Sequence, residues 1–301
     1  MAGLNSEWQM VRRQPRFVNE RPQSGQLQDL NEAIRCEEWR ILVKYSYEEL
    51  AGMIDHSLLH PTMTDAELRE GCALAARYQV ASVCIKPFAV AQAVEWLKGT
   101  GVLVGAVVGF PHGNCSTEVK RYETELACRD GASEIDMVIN VGKALGGDWD
   151  WVERDIRTVC EQAHTQGAQV KVILENDYLV DGGAGLSSEE IKQKLCQICE
   201  RAGADWVKTS SGYGFVKQPD GGYSYRGATE EDLRLMRAAC SQNVQVKAAG
   251  GVRDLDGLIR VRELGASRCG ATATAAMMDE YRRRLRAGES DGAGSIGVGG
   301  Y

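Results

Sequence analysis

The chain has 301 residues, a formal net charge of −7, and 44% apolar against 26% charged residues, the make-up of a soluble globular protein with material for one large α/β domain or two small ones. That acidic balance argues against nucleic acid or an anionic membrane surface as the main partner, while leaving room for a small anion held in a local cradle of cations and backbone N–H groups. No apolar run approaches the roughly 20 residues needed to cross a bilayer, and ten cysteines behind an N-terminus without a secretory apolar region point to a reducing, cytoplasmic compartment.

Residues 1–45 are polar and lack sustained periodicity, apart from a short amphipathic stretch, "DLNEAIRCEEWRILVKY". They read as an N-terminal extension, partly disordered or packed on the outside of the domain. From 46 to 287, strand-like runs alternate with helix-like ones. The strand candidates are 52–59, 80–86, 102–110, 133–140, 169–175, 205–211, 244–250 and 267–273, each short, β-branched or apolar, and ending near Gly, Pro, Asn or Ser. Helical periodicity follows nearly every one, as in "TDAELREGCALAARY", "STEVKRYETELACRD" and "SSEEIKQKLCQICERAG". Several of these helices open with a Ser, Thr or Asp followed by Glu, a capping signature. Eight such units predict a parallel, eight-stranded (β/α)8 TIM barrel, in preference to a doubly wound sheet. No G-x-G-x-x-G follows the first strand, so nothing favours a dinucleotide fold. The Gly-rich 288–301 reads as a flexible tail.

Chemistry in such a barrel belongs at the C-terminal ends of the strands. The fourth strand carries Glu134 and Asp136, the fifth Lys171 and Glu175, the sixth Lys208 and the seventh Lys247. A lysine in an apolar strand either snorkels outward, pairs with a carboxylate, or is there for its amine. Lys208 and Lys247 stand on neighbouring strands, each followed by small residues and Gly. Two inward-facing cations would repel one another, and repulsion and desolvation both lower an amine pKa. A core lysine beside a second one is therefore suited to Schiff-base chemistry, with Lys208 as nucleophile. Asp136 is the candidate for moving protons at the substrate hydroxyl, with a structural ion pair as its equal alternative.

After the last two strands, "AAGGVRD" places Gly250, Gly251 and Arg253 before a helix starting near Asp254, and "CGATATAAMM" offers Gly270 and Thr272 before another. Exposed N–H groups at those two turns predict a phosphate site. The C-x-x-C at Cys196 and Cys199 lies on a predicted helix without a second pair, and reads as core packing rather than zinc or redox chemistry. His56 and His60 have i,i+4 spacing on a strand and loop, where no metal pair is expected. His112 ends the third strand facing the pocket, without a catalytic part.

The stretches "GFPHGNCSTEVKRYE", "GASEIDMVINVG", "GADWVKTSSGYG" and "VKAAGGVRD" together resemble the deoxyribose-phosphate aldolases, class I Schiff-base aldolases with a TIM-barrel fold. The likeness covers roughly residues 48–280, in order and spacing. It implies reversible cleavage of 2-deoxy-D-ribose 5-phosphate to acetaldehyde and D-glyceraldehyde 3-phosphate, with no cofactor and no metal. By the same resemblance Lys208 forms the Schiff base, Lys247 assists proton transfer and depresses its neighbour's pKa, and Asp136 donates and accepts the proton. Asp55 and Cys84 border the pocket, and Ser211 and Gly212 join the substrate-binding residues.

The departures bear on substrate preference. "TSSG" stands where family members often read "TSTG", and Tyr213 where some have a lysine that approaches the phosphate. "GATAT" carries threonine where serines are common. An unusually long run, "FVKQPDGGYSYRGAT", sits beside Lys208, where it could narrow, lid or re-aim the pocket. A related aldolase with another aldehyde substrate, or a barrel that binds sugar phosphate without turnover, are the alternatives. A homo-oligomer, dimer or tetramer, is compatible with the sequence. Tyr301 reaching over the barrel mouth stands against a disordered tail.

Overall fold

The structure is a computed structural model that describes residues 44–292, with side chains to residue 287. The amphipathic stretch expected before residue 44, most of the Gly-rich tail and Tyr301 lie outside the described residues. Eight parallel strands close into a barrel. In chain order the elements are α1 (Tyr47–Ala51), β1 (Ile54–Leu58), α2 (Asp65–Tyr78), β2 (Ser82–Ile85), α3 (Val90–Leu97), β3 (Leu103–Val108) and α4 (Thr117–Arg129). There follow β4 (Glu134–Val138), α5 (Val141–Leu145), α6 (Trp149–His164), β5 (Gln169–Ile173), α7 (Ser188–Ala202) and β6 (Trp206–Lys208). A small antiparallel hairpin, β7 (Val216–Lys217) and β8 (Tyr223–Ser224), interrupts the alternation before α8 (Glu230–Ala239). Then come β9 (Gln245–Ala249), α9 (Leu255–Glu263), β10 (Arg268–Ala271) and α10 (Thr274–Gly292). Around the barrel the order is β1-β2-β3-β4-β5-β6-β9-β10, with β10 closing on β1.

Alternation along each strand sends one set of side chains outward to the helices and the other into the barrel. The outward set is apolar: Ile54, Val83, Val104, Ile135, Val172, Val207, Val246 and Cys269 are all buried, and with the apolar helix stripes they form the main core. Capping boxes at Ser46–Glu49, Thr64–Glu67 and Ser187–Glu190 start α1, α2 and α7, each such cap typically contributing ~1 kcal/mol. The start of α4 departs from this pattern. Ser116 makes no capping bond; Thr117 instead donates to Asp155 of α6 at 2.8 Å, and Lys120 donates to Asp155 at 2.6 Å and to the Val138 carbonyl at 2.9 Å. Lys120 is wholly buried. It therefore ties α4 and α6 to the top of β4, a function its place in an amphipathic helix does not reveal. Cys196 and Cys199 are buried on α7 as core side chains.

One outward-facing polar residue links the fold to pH. His56 is 5% exposed, its Nδ1 2.8 Å from Thr274 Oγ1, and burial pushes its imidazole down to about 4. An unfolded histidine titrates near 6.5. Between those values the unfolded chain holds the extra proton, so stability is fully present above about pH 6.5 and is lost as pH falls toward 4, by on the order of 3 kcal/mol for this group. Replacing His56 with Gln should flatten the fall in thermal midpoint between pH 7 and pH 4.5 relative to the parent. An identical pH dependence in both proteins would show that His56 is not the group responsible.

Candidate active site

The inward-facing set is charged. Asp55 on β1, Glu134 and Asp136 on β4, Lys171 on β5, Lys208 on β6, Lys247 on β9 and Arg268 on β10 converge inside the barrel. All except Arg268 are at most 3% exposed. The register places Asp136 level with Lys171, Lys208 level with Lys247, and Lys247 level with Arg268. Lys171 contacts three carboxylates, pairing with Glu134 and lying 3.2 Å from Asp55 and 3.3 Å from Asp136. Lys247 contacts two, Asp55 at 2.5 Å and Asp136 at 2.7 Å. Arg268 contacts Asp55 and, at 2.5 Å, Glu134. Lys208 contacts one, Asp136 at 2.7 Å. Trp206 underlies the group, its ring centroid 5.7 Å from Lys171 and 5.5 Å from Arg268.

The Lys208 and Lys247 ammonium nitrogens donate to the same oxygen, Asp136 Oδ2, each at 2.7 Å. The two amines are adjacent and inward, as the spacing of the "VK" pairs predicts. The expected bare repulsion between them is not what the structure holds, because a carboxylate lies between them. Burial alone would lower the Lys247 amine, but Asp136 and Asp55 outweigh it and hold that amine well above the ordinary lysine value. Burial alone would raise the Asp136 carboxyl, but Lys171, Lys208 and Lys247 hold it well below the usual carboxylate range. Asp55 follows the same logic with Lys171, Lys247 and Arg268. Four cations meet three carboxylates in a buried cluster, so one positive charge has no counter-charge.

The walls above this cluster are tied down by backbone. Thr209 is buried, and its hydroxyl donates to the Ala249 carbonyl at 2.9 Å and accepts from the Ala249 N–H at 3.0 Å, locking the end of β6 to β9 and so Lys208 to Lys247. Ser211 Oγ accepts from the Tyr213 N–H at 3.0 Å and shapes the turn through Gly212. Glu175 does not reach the pocket. It lies past β5 with a left-handed φ of 56°, accepts from the Ser211 N–H at 3.1 Å, and props the turn from below.

A cavity of about 230 Å³ opens over the two lysines. Asp55, Cys84, Lys208, Ser211, Gly212, Lys247, Gly250, Gly251, Arg253, Gly270 and Thr272 all line it, so every expected site residue except Asp136 borders one space. Asp136 is wholly buried beneath the amines and does not line the cavity, so it addresses a substrate only through them or through water. Asp55 does more than border the pocket, since it holds Lys247, Lys171 and Arg268. Cys84 donates to Asp136 Oδ2 across 3.8 Å, and burial pushes its thiol up to about 11, leaving a neutral, apolar wall. With Leu59 and Val107 it forms a small cluster against which Phe110 and Tyr213 pack.

At the far side, Gly250 and Gly251 take φ of 90° and 89°, a left-handed pair that glycine adopts without strain, and both line the cavity. The helix α9 that follows starts at Leu255 with Asp254 as its N-cap, one residue from the expected start. His112 is exposed and does not line the cavity, contrary to its expected orientation; the turn after β3 carries it outward. His56 and His60 bond separately, to Thr274 and Thr62.

Two participants have no counterpart among the expected site residues: Arg268, which completes the charge cluster with the strand lysine Lys171, and Tyr225, which lines the cavity from the hairpin. An arginine entering the last strand was the one available signal for the first.

Residues 50–275 match the family described as DeoC/LacD family aldolase. A deoxyribose-phosphate aldolase of Rhodopirellula baltica is 48% identical over 244 residues, which take in 81% of this chain and 94% of that protein. One from Aciduliprofundum boonei is 42% identical over 231 residues, 77% of this chain and 96% of that protein. Among solved structures, a tetrameric deoxyribose phosphate aldolase from Aeropyrum pernix matches with a TM-score of 0.69 at 27% identity, over 81% of this chain and 96% of that one.

Proposed function

The chain belongs to the DeoC/LacD family of aldolases, and from that premise we propose that it cleaves 2-deoxy-D-ribose 5-phosphate reversibly to acetaldehyde and D-glyceraldehyde 3-phosphate through a Schiff base on Lys208. The observation that carries this reading is the pair of amines sharing Asp136 Oδ2 on the cavity floor. The names of the relatives at 42–48% identity support the substrate.

The charge count supports Lys208 as the nucleophile. Among the four cations Lys208 has the fewest carboxylate contacts, so loss of its proton brings the cluster to three against three with the fewest attractions given up. The free amine attacks C1 of the open-chain aldehyde, and loss of water from the carbinolamine gives an iminium. The C3 hydroxyl gives up its proton, the C2–C3 bond breaks, and its electron pair flows into the iminium to form an enamine. Glyceraldehyde 3-phosphate departs. Protonation of the enamine at C2 and hydrolysis then release acetaldehyde and regenerate Lys208. Lys247, which lines the cavity, is the group placed to deliver and recover these protons, with Asp136 and Asp55 behind it holding its charge. The apolar wall of Leu59 and Cys84 suits a substrate carbon that bears no hydroxyl. Gly250, Gly251, Arg253, Gly270 and Thr272 are assigned to the phosphate.

A coupled assay following release of glyceraldehyde 3-phosphate tests this. Turnover of deoxyribose 5-phosphate, with higher kcat/KM than unphosphorylated deoxyribose, is expected. Binding of the sugar phosphate without turnover would instead make the barrel a receptor. Nine free cysteines among the described residues support a cytoplasmic location. The tetrameric relative supports a homo-oligomer, dimer or tetramer, which light scattering would read directly.

A further inference from the structure

The β7–β8 hairpin is a short excursion between β6 and α8, and both its feet are fastened to the turn Asn176–Tyr178 that follows β5. At its end, the Arg226 and Gly227 N–H groups donate to the two oxygens of Asp177 at 2.6 and 3.0 Å. At its start, the Phe215 carbonyl accepts from the Tyr178 hydroxyl at 3.3 Å. The end foot also rests on the glycine turn after β9. Ala228 N–H donates to the Gly250 carbonyl at 3.0 Å, and a methyl group on Gly227 would stand 2.6 Å from that oxygen. Only glycine allows the approach. Between the feet, Tyr225 is clamped edge-on by Phe215, ring centroids 5.4 Å apart, and lines the catalytic cavity.

The ring is placed on the phosphate side of that cavity. Its Cε2 lies 3.3 Å from the position a Cβ would take on Gly250, and Cε2 is one bond from the carbon that carries the hydroxyl. The hydroxyl is therefore at the Gly250–Gly251 turn, and among the described residues it makes no hydrogen bond. We infer that Tyr225 is a specificity-determining residue whose hydroxyl donates to the terminal phosphate of the substrate. The inference rests on the reading of that turn as the phosphate site. A phenol donating to a phosphate oxygen makes a charge-assisted hydrogen bond, and here it is supplied by a rigid aromatic held before the ligand arrives.

The test is Tyr225→Phe, which keeps the ring and its packing. The ratio of kcat/KM for deoxyribose 5-phosphate over unphosphorylated deoxyribose should fall about tenfold, through KM for the phosphorylated sugar, and inorganic phosphate measured by calorimetry should bind about tenfold more weakly. A ratio and a phosphate affinity both within twofold of the parent would overturn the inference. Borohydride trapping of acetaldehyde, which has no phosphate, monitors the fold and the nucleophile of the variant. If the parent itself neither discriminates between the two sugars nor binds phosphate, the phosphate reading of the turn fails, and this inference with it. Parent discrimination with an unchanged variant would dismiss Tyr225 alone.

Discussion

Lys208→Ala is expected to abolish cleavage, by on the order of 10,000-fold or more in kcat, while leaving the fold intact. Loss of activity alone would not distinguish a nucleophile from a structural residue, so the stability result matters as much. Removing one member of a buried ion pair usually orphans the other at a cost of about 3–5 kcal/mol. Here Asp136 would keep Lys171 at 3.3 Å and Lys247 at 2.7 Å, and the cluster would stand at three cations against three carboxylates. The thermal midpoint should therefore be unchanged or slightly raised. A variant that loses several kcal/mol of stability would mean that Lys208 is a structural partner of Asp136. By contrast, Arg268→Ala leaves Glu134 with Lys171 alone and should destabilise the protein.

Lys247→Leu makes the complementary case, and its sign follows from the same count. With Lys247 gone the remaining Lys171, Lys208 and Arg268 balance Asp55, Glu134 and Asp136, and Asp136 faces one competing cation fewer. Asp136 is then shared by Lys171 and Lys208 alone, so its attraction for the Lys208 nitrogen is less divided. The acid limb of the pH–rate profile should move to higher pH. At pH 7 the rate should fall by about 100-fold or more, since the proton carrier at the substrate is lost as well. A slower enzyme with an unmoved profile would mean that the two amines are not coupled through Asp136.

The barrel was legible because each strand is a short β-branched or apolar run closed by a turn residue, followed by a helix whose start carries its own capping pair. Lys208 and Lys247 were legible for a related reason. A lysine inside such a run must be explained, and consecutive strands in a barrel are neighbours. The sequence could not show which charges lie between which. Asp55 and Asp136 are separated from Lys247 by 192 and 111 positions, and only closure of β10 onto β1 brings Asp55 beneath that amine. Hence the proximity of the two amines was anticipated, but the direction of the Lys247 shift was not. Arg268 enters β10 from a polar turn, and only the closed barrel brings Glu134, from the other side, to meet it. The hairpin was hidden because its strands are two residues long and flanked by Pro, Asp and Gly, a composition that reads as loop.

One covalent bond, from the Lys208 nitrogen to the substrate carbonyl carbon, is decisive. Incubating the protein with acetaldehyde and borohydride, digesting it and mapping the modified peptide should place the reduced adduct on Lys208, with Lys171 and Lys247 unmodified and no adduct in Lys208→Ala. An adduct on another lysine, or none at all in a protein that still turns over its substrate, would contradict it.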